Sequence, residues 1–307
     1  MFYFTNDNPD LLYGDILDTI MKRGEMTHPR NFNCLELSPC CVSLKNPHWN
    51  IIGNPVRKLN KGFMAAELLW MLAGRDDVGF LSFYNSKIAQ FSDDGLKFFG
   101  AYGPKIVAQL PYIEWVLKKD PWTRQAVINI WRESPPVTKD VPCTLMFQFI
   151  RRPLNRLNMS VYMRSQDIWL GFPYDLHNFT SIQILVACML GLEPGEFTLN
   201  QGSLHAYQDN FIEMANAIKA MNVYKEGGTW PVELTRLSKC SGVAQLNTDW
   251  KIIIEQVNML IQSPDIDKKI IEDIITETAD PCLQQKLTWM LGHGIKKQAL
   301  QLQPKGS

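Results

Sequence analysis

The spacing of hydrophobic residues predicts helices along the first two thirds of the chain. Apolar positions recur every three or four residues in four stretches, which is the period of an amphipathic helix. The predicted helices are residues 12–21, which Gly24 ends; residues 63–73, which Gly74 ends; residues around 113–119; and a long helix from Pro173 to Gly191.

Shorter apolar runs between these helices predict strands. In the run 157–163, Met159 and Val161 alternate with Ser160 and Tyr162, which is typical of a strand buried on one face. The predicted extended segments are 32–44, 126–131, 145–150, 157–163 and 197–199, and residues 85–105 are predicted to form a loop.

Beyond Trp250 the pattern predicts helices only. Three apolar stripes at helical spacing follow one another: Ile253, Val257 and Leu260; Ile270, Ile271, Ile274 and Ile275; Leu283, Leu287, Met290 and Leu291. We therefore predict an α+β body over residues 1–250 and a helical C-terminal extension over residues 251–307.

Composition excludes several broad classes of protein. Hydrophobic residues make up 46% and charged residues 20% of the 307 positions, so the chain can bury a core and is not disordered. The 31 basic residues balance the 31 acidic ones, whereas proteins that hold nucleic acid carry a basic excess. No apolar run is as long as a membrane span. We expect neither a membrane nor a stable nucleic-acid partner.

The seven cysteines indicate a reducing compartment. Their number is odd, none forms a C-x-x-C pair, and the histidines show no zinc spacing. The first residues lack a basic segment followed by an apolar stretch, so we predict no secretion signal. We expect free thiols, no metal and a cytoplasmic protein, in the host cytoplasm if it is phage-encoded.

Cys143 is the candidate nucleophile. It follows Pro142 and lies just before the predicted strand at 145–150, and a cysteine at a strand entrance can face a cleft. Reactivity requires a thiolate, and therefore cationic or hydrogen-bonding neighbours. An inert buried thiol is the more common outcome for a single cysteine, and the local sequence leaves both interpretations open.

Longer motifs place Cys143 in a family pattern. Residues 164–175 read Arg-Ser-Gln-Asp-Ile-Trp-Leu-Gly-Phe-Pro-Tyr-Asp, and residues 202–207 read Gly-Ser-Leu-His-Ala-Tyr. With Pro142-Cys143, these segments resemble the thymidylate synthase family, whose pattern is P-C, R-S-x-D-x-x-L-G-x-P-x-[ND] and G-x-x-H-x-Y. Further matches within residues 10–215 are Arg30, Glu67, Tyr102 and Arg124.

The resemblance implies a thymidylate synthase-like fold, with a large mixed sheet covered by helices, and roles for the matched residues. Cys143 would add to C6 of a pyrimidine, with Glu67, Tyr102 and Asp175 in the catalytic set. The implied nucleotide-binding residues are Arg30, Arg164 and Ser165 at the phosphate, His205 and Tyr207 at the sugar, and Arg124 reaching the site of the partner subunit in a homodimer. Asp167, Gly171 and Tyr174 would bind the co-substrate 5,10-methylenetetrahydrofolate.

Two of these residues have simpler interpretations if the resemblance is set aside. Glu67 lies in an apolar helical run, where a carboxylate is costly unless it is hydrogen-bonded or functional, but it could also lie on the solvent face of that helix. Arg30 could be a solvated loop charge, although guanidinium groups suit bidentate phosphate contacts.

Asp175 departs from the synthase pattern, which has asparagine at this position. An amide matches the N3 donor and O4 acceptor of uracil, whereas a carboxyl group can accept from the amino group of cytosine and share a proton with N3. A carboxylate facing O4 of uracil would be repelled. Aspartate here is the pattern of the cytidylate hydroxymethylase branch, although an acid is also tolerated at a helix N-terminus because of the helix dipole.

Other departures put the reductive step of a synthase in doubt. Ile88 and Phe91 stand where synthases usually carry tryptophans that shield the exocyclic methylene intermediate. Thr144 replaces the histidine usual after the catalytic cysteine, and Gln125 replaces a second arginine after Arg124. The usual C-terminal segment that closes over folate is not recognisable in residues 250–307.

These observations predict a folate-dependent hydroxymethyltransferase that converts CMP or dCMP, with methylenetetrahydrofolate and water, to the 5-hydroxymethyl nucleotide and tetrahydrofolate. A thymidylate synthase with relaxed base recognition is one alternative. A catalytically inactive paralogue that binds nucleotides or RNA is another, but its retention of the whole residue set would be unexplained.

Overall fold

A computed structural model of the chain describes residues 1–132, 137–228, 248–263, 267–278 and 280–301. The strands in this part are β1 (Phe2–Asn6), β2 (Glu25–Thr27), β3 (Cys34–Leu37), β4 (Cys40–Leu44), β5 (Val127–Asn129), β6 (Thr144–Arg152), β7 (Arg156–Met163), β8 (Gln166–Asp167), β9 (Glu193–Gln201) and β10 (Leu204–Tyr207). The helices are α1 (Pro9–Arg23), α2 (Lys61–Leu72), α3 (Val78–Tyr84), α4 (Gly103–Lys119), α5 (Phe172–Met189), α6 (Phe211–Lys225), α7 (Thr248–Gln262), α8 (Lys268–Glu277) and α9 (Pro281–Gln301).

The described residues divide into two compact units. The first contains those within Met1–Leu59, Tyr112–Trp131 and Cys143–Thr235, and therefore all the strands above with α1, α5 and α6. The second contains those within Asn60–Pro111, Arg132–Pro142 and Arg236–Ser307, and therefore α2, α3, α7, α8 and α9. The predicted boundary at residues 250 and 251 stays a prediction, because residues 229–247 lie outside the described part.

A six-stranded mixed sheet in the order β1-β4-β9-β7-β6-β5 forms the core of the first unit. Its strands alternate as the sequence predicts, with Met159, Val161 and Phe197 fully buried on the face that α5 covers. The opposite face, here called the open face, carries half-buried side chains: Asn158, Ser160, Tyr162, Glu196, Thr198 and Asn200. The expected α+β architecture with a large mixed sheet is confirmed.

Helix α5 is fastened to this sheet by a buried amide as well as by apolar packing. Gln183 Nε2 donates hydrogen bonds to the backbone carbonyls of Leu157 on β7 (2.9 Å) and Gly195 on β9 (3.0 Å). The helix ends as predicted, with Gly191 in the left-handed region at φ +65°. These hydrogen bonds hold the second half of α5 against the sheet.

A second sheet of four strands, in the order β2-β3-β10-β8, carries several predicted site residues. β10 pairs antiparallel with β3 and parallel with β8. In this register His205 lies between Glu36 on β3 and Asp167 on β8. Pairing of strands distant in sequence thus assembles motif residues side by side.

In the second unit, α9 packs closely on α2. A Cβ atom added at Gly62 would lie 2.4 Å from Cβ of His293, so the two helices approach within a distance that only glycine allows. The predicted stripe of Leu283, Leu287, Met290 and Leu291 is fully or almost fully buried. Within this unit α9 is therefore part of the core.

Several predicted elements were wrong in extent or face. Helix α4 begins at Gly103, ten residues before the predicted helix, because Ile106, Leu110 and Ile113 continue its buried face on both sides of Pro111. Its first residues, with a 3-10 helix at Ser86–Phe91, replace part of the predicted loop at 85–105.

The face of the first predicted stripe beyond Trp250 was also wrong. Ile254, Val257 and Ile261 are the buried apolar residues among the described side chains of α7. The first and last lie one position later than predicted. In the second stripe Ile270 is exposed, while Ile271 and Ile275 are buried. Consecutive isoleucines leave the choice of face to tertiary packing.

Candidate active site

Cys143 lies at the entrance to β6 with polar groups close to its sulfur. Arg164 N donates to the backbone carbonyl of Cys143 (2.9 Å), which joins the two strand ends. Ser165 Oγ lies 3.7 Å from Cys143 Sγ, and Arg164 Nη1 donates to Ser165 Oγ (3.0 Å). The half-buried thiol therefore has the hydrogen-bonding and cationic neighbours that a cysteine nucleophile requires.

Arg30 approaches the four-stranded sheet from an exposed turn. Its backbone is in the left-handed region (φ +53°), as is that of Asn31 (φ +66°), which is uncommon for residues other than glycine. Arg30 Nη2 lies 3.5 Å from the hydroxyl of Tyr207. The Tyr207 ring in turn packs edge-on against His205, with centroids 5.1 Å apart. Arg30, Tyr207 and His205 are thus neighbours in space.

His205 and Asp167 form a partly buried titratable pair on adjacent strands. Burial raises the pKa of Asp167, even though its carboxylate accepts hydrogen bonds from the backbone of Leu170 and Trp169. Burial also lowers the pKa of His205, and the charges of Arg164 and Arg30 lower it further against the opposing charge of Asp167. Both shifts favour the uncharged forms, and they show that the two arginines lie near this histidine.

Asp175 lies in the first turn of α5 and ends a chain of buried amides. Gln166 Nε2 donates to Asp175 Oδ2 (2.9 Å), and Gln201 Nε2 donates a short hydrogen bond to Gln166 Oε1. Burial, aided by the negative charge of Asp167, raises the pKa of Asp175 to about 7, although the Gln166 hydrogen bond opposes the rise. This carboxyl group is therefore divided between its acid and carboxylate forms near neutral pH.

Two glycines lie beside these residues, and one of them allows a close approach of the backbone. Gly171 precedes α5, and its carbonyl accepts from the backbone N–H groups of Tyr174 and Asp175 (3.0 Å each). A Cβ atom at Gly202 would lie 2.9 Å from the carbonyl oxygen of Arg164, which is too close for a side chain. Gly202 therefore lets β9 and β10 meet at the strand end that carries Arg164.

Arg57 is a neighbour of the site that sequence analysis missed. Its Nε donates to the carbonyl of Trp169 (2.7 Å), and its guanidinium lies 5.3 Å from the Trp169 ring and 5.5 Å from the Tyr174 ring. It stands in the loop Asn54-Pro55-Val56-Arg57, which has no periodicity that could have indicated a role. Sequence analysis also missed Gln166 and Gln201. The only signal that could have indicated Gln166 was its position between Ser165 and Asp167, two residues of the motif.

Arg124 lies apart from this cluster within the first unit, and two further predicted residues belong to the second unit. Arg124 is exposed just before β5, where its carbonyl accepts from Gln148 Nε2 (3.2 Å), and within the described chain it makes no hydrogen bond or ion pair with the clustered residues. Glu67 and Tyr102 belong to the second unit, where Glu67 is half-buried on α2 and Tyr102 immediately precedes α4. In that unit Ile88 is half-buried and Phe91 is 50% exposed.

The cysteines that the structure describes, Cys34, Cys40, Cys41, Cys143 and Cys188, are free thiols, as predicted for them, whereas Cys240 and the side chain of Cys282 lie outside the described part. Across the described ranges, no cluster of three or more His, Cys, Asp or Glu side chains is placed to hold a metal ion. No helix in those ranges is long and apolar enough to cross a membrane.

The chain is similar to known proteins over the region that contains the cluster. Residues 12–225 match the family model described as Thymidylate synthase. A protein named Deoxyuridylate hydroxymethyltransferase from Bacillus phage SP01 is 37% identical over 231 residues, covering 69% of this chain and 60% of that protein. Another of the same name, from Pseudomonas phage M6, is 34% identical over 162 residues, covering 50% of this chain and 46% of that protein. The matched part is thus 60% or less of either relative.

Proposed function

The chain belongs to the thymidylate synthase family, and from that premise we propose that it transfers a hydroxymethyl group to C5 of a pyrimidine nucleoside monophosphate. Two observations support this reaction over reductive methylation. Both relatives described above are named hydroxymethyltransferases, and Ile88 and Phe91 replace the tryptophans expected in a synthase. A less aromatic wall leaves water able to reach the exocyclic methylene before hydride does.

The nucleotide would be held by the cluster around His205. Arg30, Arg164 and Ser165 would bind the 5′-phosphate, since the charges of both arginines act on the same histidine. His205 and Tyr207 would hydrogen-bond the sugar hydroxyl. The left-handed backbone at Arg30 supports a functional role over that of a solvated charge, because strained residues other than glycine are concentrated at functional sites.

Cys143 would begin the reaction by adding its sulfur to C6, which gives C5 carbanion character. C5 then takes the one-carbon unit, and loss of the C5 proton and of tetrahydrofolate leaves an exocyclic methylene. Water adds to this methylene, and elimination of the cysteine sulfur releases the 5-hydroxymethyl nucleotide. Glu67 and Tyr102 would complete the catalytic set, with Glu67 ordering water at the base.

When bound, methylenetetrahydrofolate supplies the carbon at the formaldehyde oxidation level. The residues expected to hold it fit a pterin ring. Asp167 is a partly buried carboxyl group, and a carboxylate can accept hydrogen bonds from the N–H groups of a pterin edge. Gly171 leaves space beside it, and Tyr174 offers an aromatic ring backed by the Arg57 guanidinium.

Asp175 carries the choice of substrate, which we propose to be cytidylate, as CMP or dCMP. Its carboxylate can accept from the amino group of cytosine and would repel O4 of uracil. Deoxyuridylate is the second candidate, because both named relatives act on it. The pKa of about 7 supports this possibility, because the acid form of Asp175 could donate to O4.

We also propose a homodimer with shared sites. Arg124 is exposed and apart from the cluster of its own chain, as expected for a residue that reaches the partner's phosphate site. The open face of the six-stranded sheet, with its half-buried side chains, is the surface on which a second copy would pack.

The reaction can be tested by tritium release from C5-labelled CMP, dCMP and dUMP with methylenetetrahydrofolate, followed by mass analysis of each product. We expect release from a cytosine nucleotide and a product that carries hydroxymethyl. Preference for dUMP with a hydroxymethyl product would support the second candidate. A methyl product with dihydrofolate would contradict hydroxymethyl transfer altogether.

A further inference from the structure

We infer that Gln166, held by Gln201, is a positioning residue that orients the Asp175 carboxyl group toward the base and sets the preference between cytosine and uracil. This inference rests on the proposed function, since it concerns the base that Asp175 meets. Nothing in the family motif requires either amide: Gln166 occupies the variable position of R-S-x-D, and Gln201 precedes the G-x-x-H-x-Y segment.

The two amides are fixed by the backbone of both sheets. Gln166 N donates to the carbonyl of Ser203 (2.8 Å), and Gln166 pairs with Leu204 on β10. Gln201 is the last residue of β9, where it pairs with Cys40 on one side and Met163 on the other. Both side chains are 2% exposed, so neither can swing away into solvent.

The direction of the hydrogen bonds follows from Asp175 itself. In its carboxylate form Asp175 only accepts, and the Gln166 amide then presents its NH2 group to Oδ2. Its oxygen then faces Gln201, which must donate. The chain of donors therefore runs from Gln201 through Gln166 to Asp175, and it leaves Oδ1 of Asp175 without a donor among the described residues.

The burial of Gln201 is difficult to explain as packing alone. Its Oε1 is buried with no hydrogen-bond partner in the described part of the chain, and a buried unpaired acceptor is destabilising. Methionine or leucine would fill the same volume without that penalty. The amide is explained if its NH2 group is needed to fix Gln166.

The two hydrogen bonds from Gln201 to Gln166 and from Gln166 to Asp175 are here called the relay. Their electrostatic effect on Asp175 has a definite sign. The Gln166 hydrogen bond lowers the pKa of Asp175, while burial and the charge of Asp167 raise it. Asp167 is itself near Arg57 and His205, whose charges act on it. Gln166 therefore increases the carboxylate fraction at neutral pH, and the carboxylate is the form that accepts from the cytosine amino group. Without Gln166, the acid form would predominate and could donate to O4 of uracil.

The test replaces Gln166 by methionine in the full chain. We expect the ratio of kcat/KM for dCMP over dUMP at pH 7.5 to fall about tenfold. We also expect the pKa of Asp175, followed by carboxyl ¹³C NMR in the free protein, to rise. Gln201→Met should also lower the kcat/KM ratio and raise the pKa of Asp175, but by less than Gln166→Met does. The Gln166 amide remains in this variant but is no longer held.

Gln183→Met is a matched control. Like Gln201, Gln183 is buried, donates through Nε2 and has a buried Oε1 without a partner in the described chain. Its NH2 group, however, binds backbone carbonyls of the sheet and no residue of the candidate site. We expect this variant to lose stability with no change in the nucleotide ratio. In an Asp175→Asn background, Gln166→Met should no longer alter the ratio, because the titrating group is absent.

An unchanged Asp175 pKa in Gln166→Met would overturn the inference whether or not the protein turns over any nucleotide. An unchanged nucleotide ratio in an active, folded variant would overturn it as well. Failure of the proposed function is a separate result, since it would be the absence of tritium release by the unsubstituted protein with every nucleotide.

Discussion

At the scale of single residues, Asp175 combines a destabilising environment with a chemical role. Burial raises its pKa to about 7, far above the ordinary aspartate value near 4. The folded state therefore binds the proton more tightly than the unfolded state does. The contribution of Asp175 to the free energy of unfolding is therefore greatest below about pH 4 and is lost as pH rises toward 7.

We accordingly expect Asp175→Asn to stabilise the protein at pH 8 and to leave stability nearly unchanged at pH 4. Partial solvent access reduces the effect, so a gain of about 1–3 kcal/mol at pH 8 is the expected size. Urea denaturation of both proteins at the two pH values measures it. Equal stability at pH 8 would mean that Asp175 is not buried as described.

Cys143 gives the second residue-scale prediction. Cys143→Ser should reduce tritium release at C5 by about 1,000-fold or more, because a serine hydroxyl cannot replace the thiolate as nucleophile. Binding of dCMP should change little, since the phosphate and sugar contacts proposed for Arg30, Arg164 and His205 remain. Calorimetric titration supplies the binding measurement, and retained turnover in this variant would exclude covalent addition through Cys143.

At the scale of elements, the junction of β9 and β10 controls the placement of Arg164. A side chain at Gly202 would collide with the Arg164 carbonyl at 2.9 Å. Gly202→Ala should therefore displace this strand end, destabilise the protein by about 1–3 kcal/mol and raise KM for the nucleotide.

The control for this variant is Gly79→Ala. Gly79 lies within α3, where an added Cβ would meet nothing within 4 Å, so alanine there should be neutral or slightly stabilising. Thermal unfolding and steady-state kinetics compare the two variants. If Gly202→Ala kept the KM of the unsubstituted protein, the close approach would have no bearing on substrate binding.

Elements with a strong local pattern could be predicted from the sequence. The long helix from Pro173 and the alternating run at 157–163 appear as α5 and β7, because periodicity alone specifies one buried face. Helix α3, helix α6 and strand β1 were not predicted. In the isoleucine-rich α7, adjacent apolar residues compete for burial, and only contacts with other helices decide which face is buried.

The candidate site was predictable only where a family motif named its members. Cys143 lies beside Arg164, and His205 lies beside Asp167, through pairing between strands that are far apart in sequence, while the roles that the resemblance implies for these residues stay predictions. The relay from Gln201 to Gln166 could not be predicted, because these residues are 35 positions apart and share no motif. It depends on the last residue of β9 lying beside the first residue of β8.

At the scale of the whole molecule, the proposed sharing of sites makes a prediction about mixtures. Arg124→Ala and Cys143→Ser would each inactivate a homodimer, but a mixed dimer would contain one intact site. After equal amounts of the two inactive variants exchange subunits, roughly a quarter of all sites should be active.

Tritium release after mixing, compared with each variant alone, measures this recovery. Arg152→Ala provides a control, because Arg152 is an exposed arginine at the end of β6 with no assigned role. That variant should be active by itself. No recovery in the mixture, with a dimer shown by sedimentation, would place Arg124 outside the partner's site.

The open face has a practical consequence for handling the protein. Ser160, Thr198, Asn200 and Glu196 lie there beside the half-buried Tyr162, Met146 and Ile150, so the proposed dimer would bury a mixed polar and apolar surface and should separate reversibly. Activity that falls when the protein is diluted should therefore recover when the sample is concentrated. The loss would come from dissociation of the proposed dimer, which is a reversible mass-action effect.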